Sequence, residues 1–424
     1  MSYIDRVETF YVGVPAPYYG GFNWMFVKVT TNDGVVGWGE CNMTAYRNRT
    51  IATLIDEISE HFILGRQNPF NIEQLWSDLY GGDQTPLVKS STHFRRSGMM
   101  LMQATAAIEM ACWDIVGKYL NQPVYNLLGG KCRSELRTYT YLVQGWKAGE
   151  PPEKAAVAAM QHVERGFTAL KLDPIPPSLP QPREIDLEEL KYTEAVLAAI
   201  RDAVGTKCDI LIGTHGQLTT HAAIRFAHVI EPFSPFWFEE PVPQENVLEM
   251  ARVARSTSIP IATGERLSTK WDFQPVLEQQ AAQILQPNIA VNGILETKKI
   301  AAIAETHYAQ IAPWIYCGPI ASAAAVQLDT CIPNFIIQEG INDWGGFGAD
   351  ICKEPLTWKR GYVVPPETPG LGVELNEETL TKNPAHAYSE LQSAGGVLEF
   401  RVPRSVRQME ALRRRAVDLR HTDH

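Results

Sequence analysis

The chain has 424 residues, 45% hydrophobic and 20% charged, an ordinary balance for a globular enzyme but too long for one compact core, so a large unit plus a smaller one is expected. A formal net charge of -10 lacks the basic footprint that nucleic acid requires, and the short run Arg413, Arg414 and Arg415 reads as a solvated helix face. No apolar run approaches the roughly 20 residues that span a bilayer, and the start MSYIDRVETF carries Asp5 where a secretory signal needs an apolar stretch.

In chain order, the first ~125 residues read as strands followed by helices. Phe26-Val27-Lys28-Val29-Thr30 alternates and stops at Asn32-Asp33-Gly34, a hairpin signal, and Val35 to Glu40 resumes as the return strand. Helical patterns follow around Thr50 to Ile63 and from about Met99 to Leu120. From about Arg137 the rhythm changes to short apolar strands alternating with amphipathic helices. The strand candidates are Thr138 to Leu142, Ala169 to Asp173, Asp209 to Gly213, Phe236 to Glu240, Ile259 to Glu265, Gln283 to Asn288, Gln310 to Trp314 and Phe335 to Glu339. The later ones start roughly 20 to 27 residues apart, the length of one βα unit, and eight such units favour a closed parallel barrel. A Pro-rich break from Pro174 to Pro182 reads as a stiff loop at the strand's C-terminal end, the face where barrels keep their chemistry.

The expected fold class is therefore α/β, a (β/α)8 barrel behind an N-terminal α+β capping domain. The expected division is a capping domain at 1–125, the barrel at 126–385 and a segment at 386–424 folding back on the cap. Seven cysteines, odd in number and without a CxxC pair, read as reduced thiols in a cytoplasmic protein.

Polar residues at the C-terminal ends of the strands carry the functional argument: Lys171 and Asp173, His215, Glu239 and Glu240, Glu265 and Arg266, Asn288, Trp314, Gln338 and Glu339. In a barrel these ends converge on one pocket. Several carboxylates converging there repel unless a cation lies among them, and hard oxygen ligands suit magnesium. Any single strand-end acid is as often a surface ion pair or a helix cap. Glu239 and Glu265 together, after matching apolar runs on neighbouring strands, point to a site.

Phe236-Trp237-Phe238-Glu239-Glu240-Pro241-Val242-Pro243 and Ile259-Pro260-Ile261-Ala262-Thr263-Gly264-Glu265-Arg266-Leu267 resemble consecutive metal-ligand strands of the mandelate racemase branch of the enolase superfamily. Gly37-Trp38-Gly39-Glu40, Gly166 to Lys171, His215-Gly216, Ile284 to Asn288, Gly318-Pro319-Ile320 and Gln338-Glu339 match in the same order along nearly the whole chain. The nearer likeness is to galactonate- and mannonate-type sugar acid dehydratases. The resemblance implies one Mg2+ per subunit binding the substrate carboxylate, and a Lys or His removing the proton alpha to it. It carries metal ligation onto Glu239 and Glu265, acid/base work onto His215, and substrate or charge stabilisation onto Glu339. Arg266 is expected to pair with Glu239 or with the substrate carboxylate.

The departures from the family pattern are as informative. The first metal ligand, an Asp two residues before the His, is Gly213 here. The strand-seven His is Trp314, and the acid that orients it is Asn288. The base slot of the strand-two Lys-x-Lys pair is Asp173, while Lys171 keeps the first slot. Residues 171 and 173 share one face of their strand, so Asp173 can reach the metal position that Gly213 leaves open. The expected metal ligands are thus Asp173, Glu239 and Glu265, with His215 as base or acid and Lys171 assisting. The plain alternative is that Asp173 only pairs with a neighbouring cation.

Two loops of the cap, Tyr18 to Trp24 and Met43 to Arg47, are expected over the barrel mouth, with Trp24, Tyr46, Arg47, Arg266 and Trp314 touching substrate. The expected function is a lyase that dehydrates an aldonate-like sugar acid. The alternatives are an isomerase or cycloisomerase of a sugar acid or its lactone, and a non-catalytic relative. Racemisation needs two opposed bases, and Trp314 removes one. The expected partners are a small carboxylate substrate and further copies of the chain in a homo-oligomer, with no nucleic acid and no membrane.

Overall fold

The structure is a computed structural model that describes residues 2–42, 48–81, 98–178 and 180–386. It opens with an antiparallel sheet, β1 (Ile4–Gly13), β2 (Asn23–Thr31) and β3 (Val36–Cys41), in the order β1-β2-β3. The turn at Asn32-Asp33-Gly34 joins β2 to β3 as expected, with Gly34 at φ 87°. Helices α1 (Asn48–Ile58), α2 (Ile72–Gly81) and α3 (Met99–Leu120) follow, and the α1 pattern continues as one π turn over Ser59–Ile63.

Helix α3 lies directly on β3. Two glycines of the Gly-Trp-Gly-Glu run make this approach possible. A Cβ on Gly39 would lie 2.6 Å from the carbonyl carbon of Ala107, and one on Gly37 would lie 2.8 Å from Ile115 Cγ1. Gly39→Ala is expected to destabilise the protein by on the order of 3 kcal/mol, because backbone rather than a mobile side chain blocks the methyl. A denaturant midpoint equal to wild type would disprove this. Helix α3 is also a correction to the sequence reading. Its 22 residues are long and apolar enough to cross a membrane by length and composition, but 78% of its most apolar window is buried inside the protein, so it is a core helix.

After the short α4 (Val124–Leu127), eight parallel strands close a ring: β4 (Leu136–Tyr141), β5 (Ala169–Leu172), β6 (Asp209–Gly213), β7 (Trp237–Glu239), β8 (Ile261–Thr263), β9 (Ile284–Leu285), β10 (Gln310–Ile311) and β11 (Gln338–Glu339). β11 pairs with β4, and the last gap closes where Ile311 N–H donates to the Asn334 carbonyl and Ile336 N–H to the Ile311 carbonyl. The helices between them are α5 (Pro152–Arg165), α6 (Leu187–Val204), α7 (Thr220–Ile230), α8 (Val247–Ala254), α9 (Thr269–Glu278), α10 (Ile289–Thr306) and α11 (Pro319–Cys331). The chain then forms α12 (Phe347–Asp350), a hairpin of β12 (Thr357–Lys359) and β13 (Tyr362–Val364) against the start of β4, and α13 (Glu377–Lys382). The segment expected to fold back on the cap lies, from residue 387 on, outside the described residues.

The ring is filled by one residue from each strand or its edge: Tyr139, Ala169, Leu211, Trp237, Ala262, Ile284, Ala312 and Ile337. Two large rings and three alanines among these eight let the layer interdigitate. Side chains repeat every two residues on one face of a strand. The next inward layer is therefore Tyr141, Lys171, Gly213, Glu239, Gly264, Gln286, Trp314 and Glu339, and it forms the floor of the mouth.

Buried carboxylates of the N-terminal layer bind backbone of the barrel layer. Glu40, at the end of β3, accepts from Gly318, Ile320 and Ala321 N–H at the start of α11. Glu109 on α3 accepts from Ile294 and Leu295 N–H, where Gly293 at φ 71° breaks α10 and exposes a fresh helix start. Burial pushes both carboxyls up to about 7, against the pull of those N–H groups. In the unfolded chain they ionise near 4.5. Their contribution to stability is therefore complete below about pH 4.5 and is lost as the pH rises toward 7. Glu40→Gln and Glu109→Gln are expected to flatten that fall, as read from urea midpoints at pH 5 and 7.5. An unchanged slope in both variants would refute the assignment.

Candidate active site

The mouth of the ring gathers most of the strand-end residues. Lys171, the third residue of β5, is fully buried and donates to Glu239 Oε1. Gln286 Nε2 donates to Glu239 Oε2 at 2.8 Å. Burial alone would depress the Lys171 ammonium, but the carboxylates of Glu239, Asp173 and Glu265 outweigh it and hold its pKa above that of a free lysine. Lys171 is thus held in a buried ion pair with Glu239.

Asp173 lies just beyond β5, and its Oδ1 is buried without a hydrogen-bond partner. That oxygen occupies the space a side chain on Gly213 would enter. A Cβ built on Gly213 would fall far inside contact distance of Oδ1, 3.5 Å from Asp173 Cγ and 3.1 Å from Lys171 Cε. The missing side chain at 213 and the extra carboxylate at 173 are therefore one spatial exchange. The other oxygen, Oδ2, is 3.7 Å from His215 Nδ1.

His215 stands on a loop bolted to the next strand. Thr214 Oγ1 donates to the Glu239 and Glu240 carbonyls, and Gly216 N–H donates to the Glu240 carbonyl. Held this way, His215 takes a left-handed backbone at φ 53° and leaves its side chain half exposed at the mouth. The Pro-rich loop after β5 is stitched to the same loop: Arg183 N–H donates to the Gln217 carbonyl, and Thr219 N–H to the Arg183 carbonyl.

Glu265 follows β8 and is mostly buried. Burial raises its pKa, His215 opposes the shift, and Glu239 reinforces it. Arg266 does not pair with Glu239, as one expectation had it. Its guanidinium binds the buried carboxylate of the neighbouring Glu240, and its Nε is 3.7 Å from Glu265 Oε1. Alternation explains the difference, since Glu239 and Glu240 point to opposite sides. Glu339 is buried at the end of β11. It accepts from Ile315 N–H on one oxygen and from the Tyr141 hydroxyl on the other.

Trp314 is half buried beside Tyr316, and Asn288 caps α10 through Ala290 N–H while its amide reaches Asn42. Trp24 is not at a loop tip. It is the second residue of β2, buried, with its indole N–H on the Gly20 carbonyl and its ring stacked on Phe347. It faces a cavity of about 280 Å³ lined by Tyr19, Cys317, Trp344 and Phe347 but by none of the catalytic or metal residues expected from the sequence. Tyr46 and Arg47 lie outside the described residues. Tyr141 and Gln286 are site residues that sequence reasoning passed over. Strand alternation from the inward layer was the signal that marks them.

Among the described residues no three His, Cys, Asp or Glu side chains already converge at metal-binding distance. The Lys171 ammonium lies among the three expected ligands and draws Glu239 to itself. The charge balance nevertheless suits a divalent cation. Lys171 pairs with Glu239 and Arg266 with Glu240, whereas Asp173 and Glu265 have only the looser 3.7 Å approaches of His215 and Arg266.

Comparison with known proteins agrees with this architecture. Residues 154–379 match the enolase C-terminal domain-like family, and residues 21–129 match the mandelate racemase/muconate lactonizing enzyme N-terminal domain. A D-galactonate dehydratase of Variovorax paradoxus strain S110 is 35% identical over 395 residues, covering 90% of this chain and 95% of the relative. One of Ralstonia pickettii strain 12J is 36% identical over 365 residues, covering 84% and 89%. The crystal structure of a mandelate racemase/muconate lactonizing enzyme from Sulfitobacter sp superposes with a TM-score of 0.85 at 39% identity, covering 92% of this chain and 97% of that one. With both family domains matched in order, and relatives at this identity over most of its length, the chain belongs to the mandelate racemase/muconate lactonizing enzyme branch of the enolase superfamily.

Proposed function

We propose that this protein dehydrates a sugar acid, taking the proton alpha to the carboxylate and releasing the beta hydroxyl as water to give a 2-keto-3-deoxy acid. The observation that carries the reading is the mouth itself, with three acidic groups, a fixed ammonium and a presented imidazole on one barrel face, in a chain similar along most of its length to D-galactonate dehydratases.

Dehydratases of this superfamily are generally dependent on a divalent metal, and the residues present fit one. The unpartnered buried oxygen of Asp173, in the space left by Gly213, supplies the donor that the family pattern lacks here. Asp173, Glu239 and Glu265 would hold the ion, and oxygen donors of this kind favour magnesium. A divalent ion held there would supply Lewis-acid compensation of the negative charge on the substrate carboxylate.

The chain's own residues then divide the work. Lys171, buried against Glu239, assists by placing its ammonium at the floor of the mouth. His215 removes the alpha proton; its half-exposed ring and fixed loop present it to the mouth. Arg266, locked to Glu240, contributes a second cation near Glu265. The indole at Trp314 carries no acid/base group, so the site has one base rather than the opposed pair that racemisation uses. The capping domain is residues 1–125 and the barrel 126–385 in this reading. Assembly into a homo-oligomer belongs to the same reading. The test is a panel of hexonates and pentonates with magnesium chloride, scored for 2-keto acid formation. Formation of a 2-keto-3-deoxy acid from at least one member is expected, and isomerised product with no keto acid would replace this reading with the isomerase alternative.

A further inference from the structure

Expulsion of a beta hydroxyl at neutral pH needs a proton, because hydroxide is a poor leaving group. The side chain at the strand-seven position is Trp314, which has no proton to give. The mouth holds another donor. Glu339 closes β11, is wholly buried, and has one carboxyl oxygen on Ile315 N–H. Its other oxygen meets the hydroxyl of Tyr141, the last residue of β4. β4 lies between β11 and β5, so Tyr141 stands between Glu339 and Lys171. The Lys171 ammonium is 5.3 Å from the centre of the Tyr141 ring, and the Tyr316 ring meets it edge-on at 5.8 Å. The phenol is thus fixed from three sides. Burial pushes the Glu339 carboxyl up to about 8 against the pull of Ile315 N–H, so it carries its proton at neutral pH.

We propose that Glu339 is the catalytic acid that protonates the departing beta hydroxyl, and that Tyr141 is the positioning residue that aims its carboxyl. This rests on the dehydratase reading above. His215 takes the alpha proton first, leaving the electron pair of that C–H bond delocalised into the carboxylate; in a second step that pair forms the new C=C bond as the beta C–O bond breaks. The oxygen leaves with its electron pair, takes the Glu339 proton and departs as water. Glu339 remains as a carboxylate held by Ile315 N–H and the Tyr141 hydroxyl. The enol then becomes the 2-keto acid, while His215 releases its proton to water and Glu339 regains one. β11 and β6 are separated by β4 and β5, so acid and base approach the substrate from different sectors of the mouth.

The alternative for the same carboxyl is that it only steadies the charge that develops on the substrate carboxylate. The two differ in what happens to the alpha hydrogen. In deuterated water, with a panel member turned over by wild type, Glu339→Gln is expected to cut dehydration roughly 100-fold while alpha-hydrogen exchange proceeds within a few-fold of the wild-type rate of proton removal. Tyr141→Phe is expected to move the same ratio in the same direction by roughly 10-fold. A 3-deoxy-3-fluoro analogue, whose leaving group needs no proton, is expected to lose fluoride at a near wild-type rate in Glu339→Gln. Equal loss of exchange, dehydration and fluoride release would overturn the inference and leave the dehydratase reading standing. Should Glu339→Gln fail to fold, Tyr141→Phe with both substrates decides alone. A wild type that neither exchanges nor dehydrates any panel member overturns the reading and the inference together.

Discussion

Replacing His215 with asparagine is expected to lower turnover by roughly 100-fold or more while leaving the fold and metal affinity intact. Asparagine tolerates the left-handed backbone that the loop imposes at φ 53°, so the substitution removes the imidazole without straining the turn. The loop is anchored through Thr214 and Gly216, not through the ring itself, so its position survives. The variant should unfold at the wild-type temperature and bind magnesium as before. Normal turnover in the folded variant would remove His215 as the base. Lys171 would then have to give up a proton that three carboxylates hold in place.

Asp173→Ala is expected to weaken magnesium binding by at least about 100-fold, as severely as Glu265→Ala, since a lost ligand costs no less than a lost outer partner. The space at Gly213 supplies a second variant. Gly213→Ala leaves the carboxylate in the chain but puts a methyl where Asp173 Oδ1 now lies, 3.1 Å from Lys171 Cε. It should lose affinity comparably. Calorimetric titration of magnesium into the three variants reads both effects. If Asp173→Ala binds magnesium as tightly as wild type, Asp173 is an ion-pair partner of His215 and nothing more.

Much of the barrel was legible because each strand is a short apolar run ending in polar residues. Asp209–Gly213 and Met99–Leu120 have the limits that the pattern gave them. Other strands are shorter than their apolar runs, as Ile261–Thr263 is within Ile259 to Glu265. Hydrophobicity marks what is buried, whereas the ladder ends where neighbouring strands diverge at the mouth. The exchange between Gly213 and Asp173 was also readable, since residues two apart share a face and an empty position invites a neighbour. The partner of Arg266 was not. Two adjacent glutamates face opposite ways, and only the register of β7 against β8 decides which one meets the guanidinium. Glu40 and Glu109 carried no local sign of their role, because their partners lie about 280 and 185 residues away in the chain. Nothing local to Tyr141 marks it, because its carboxyl partner comes to it only when the ring closes and brings β11 beside β4.

The central claim is metal-assisted dehydration of a sugar acid, and proton NMR of the product formed in deuterated water with magnesium tests it most directly. The expected product is a 2-keto-3-deoxy acid with deuterium at carbon 3. A product that keeps every hydroxyl and carries deuterium at an inverted carbon 2 would contradict it.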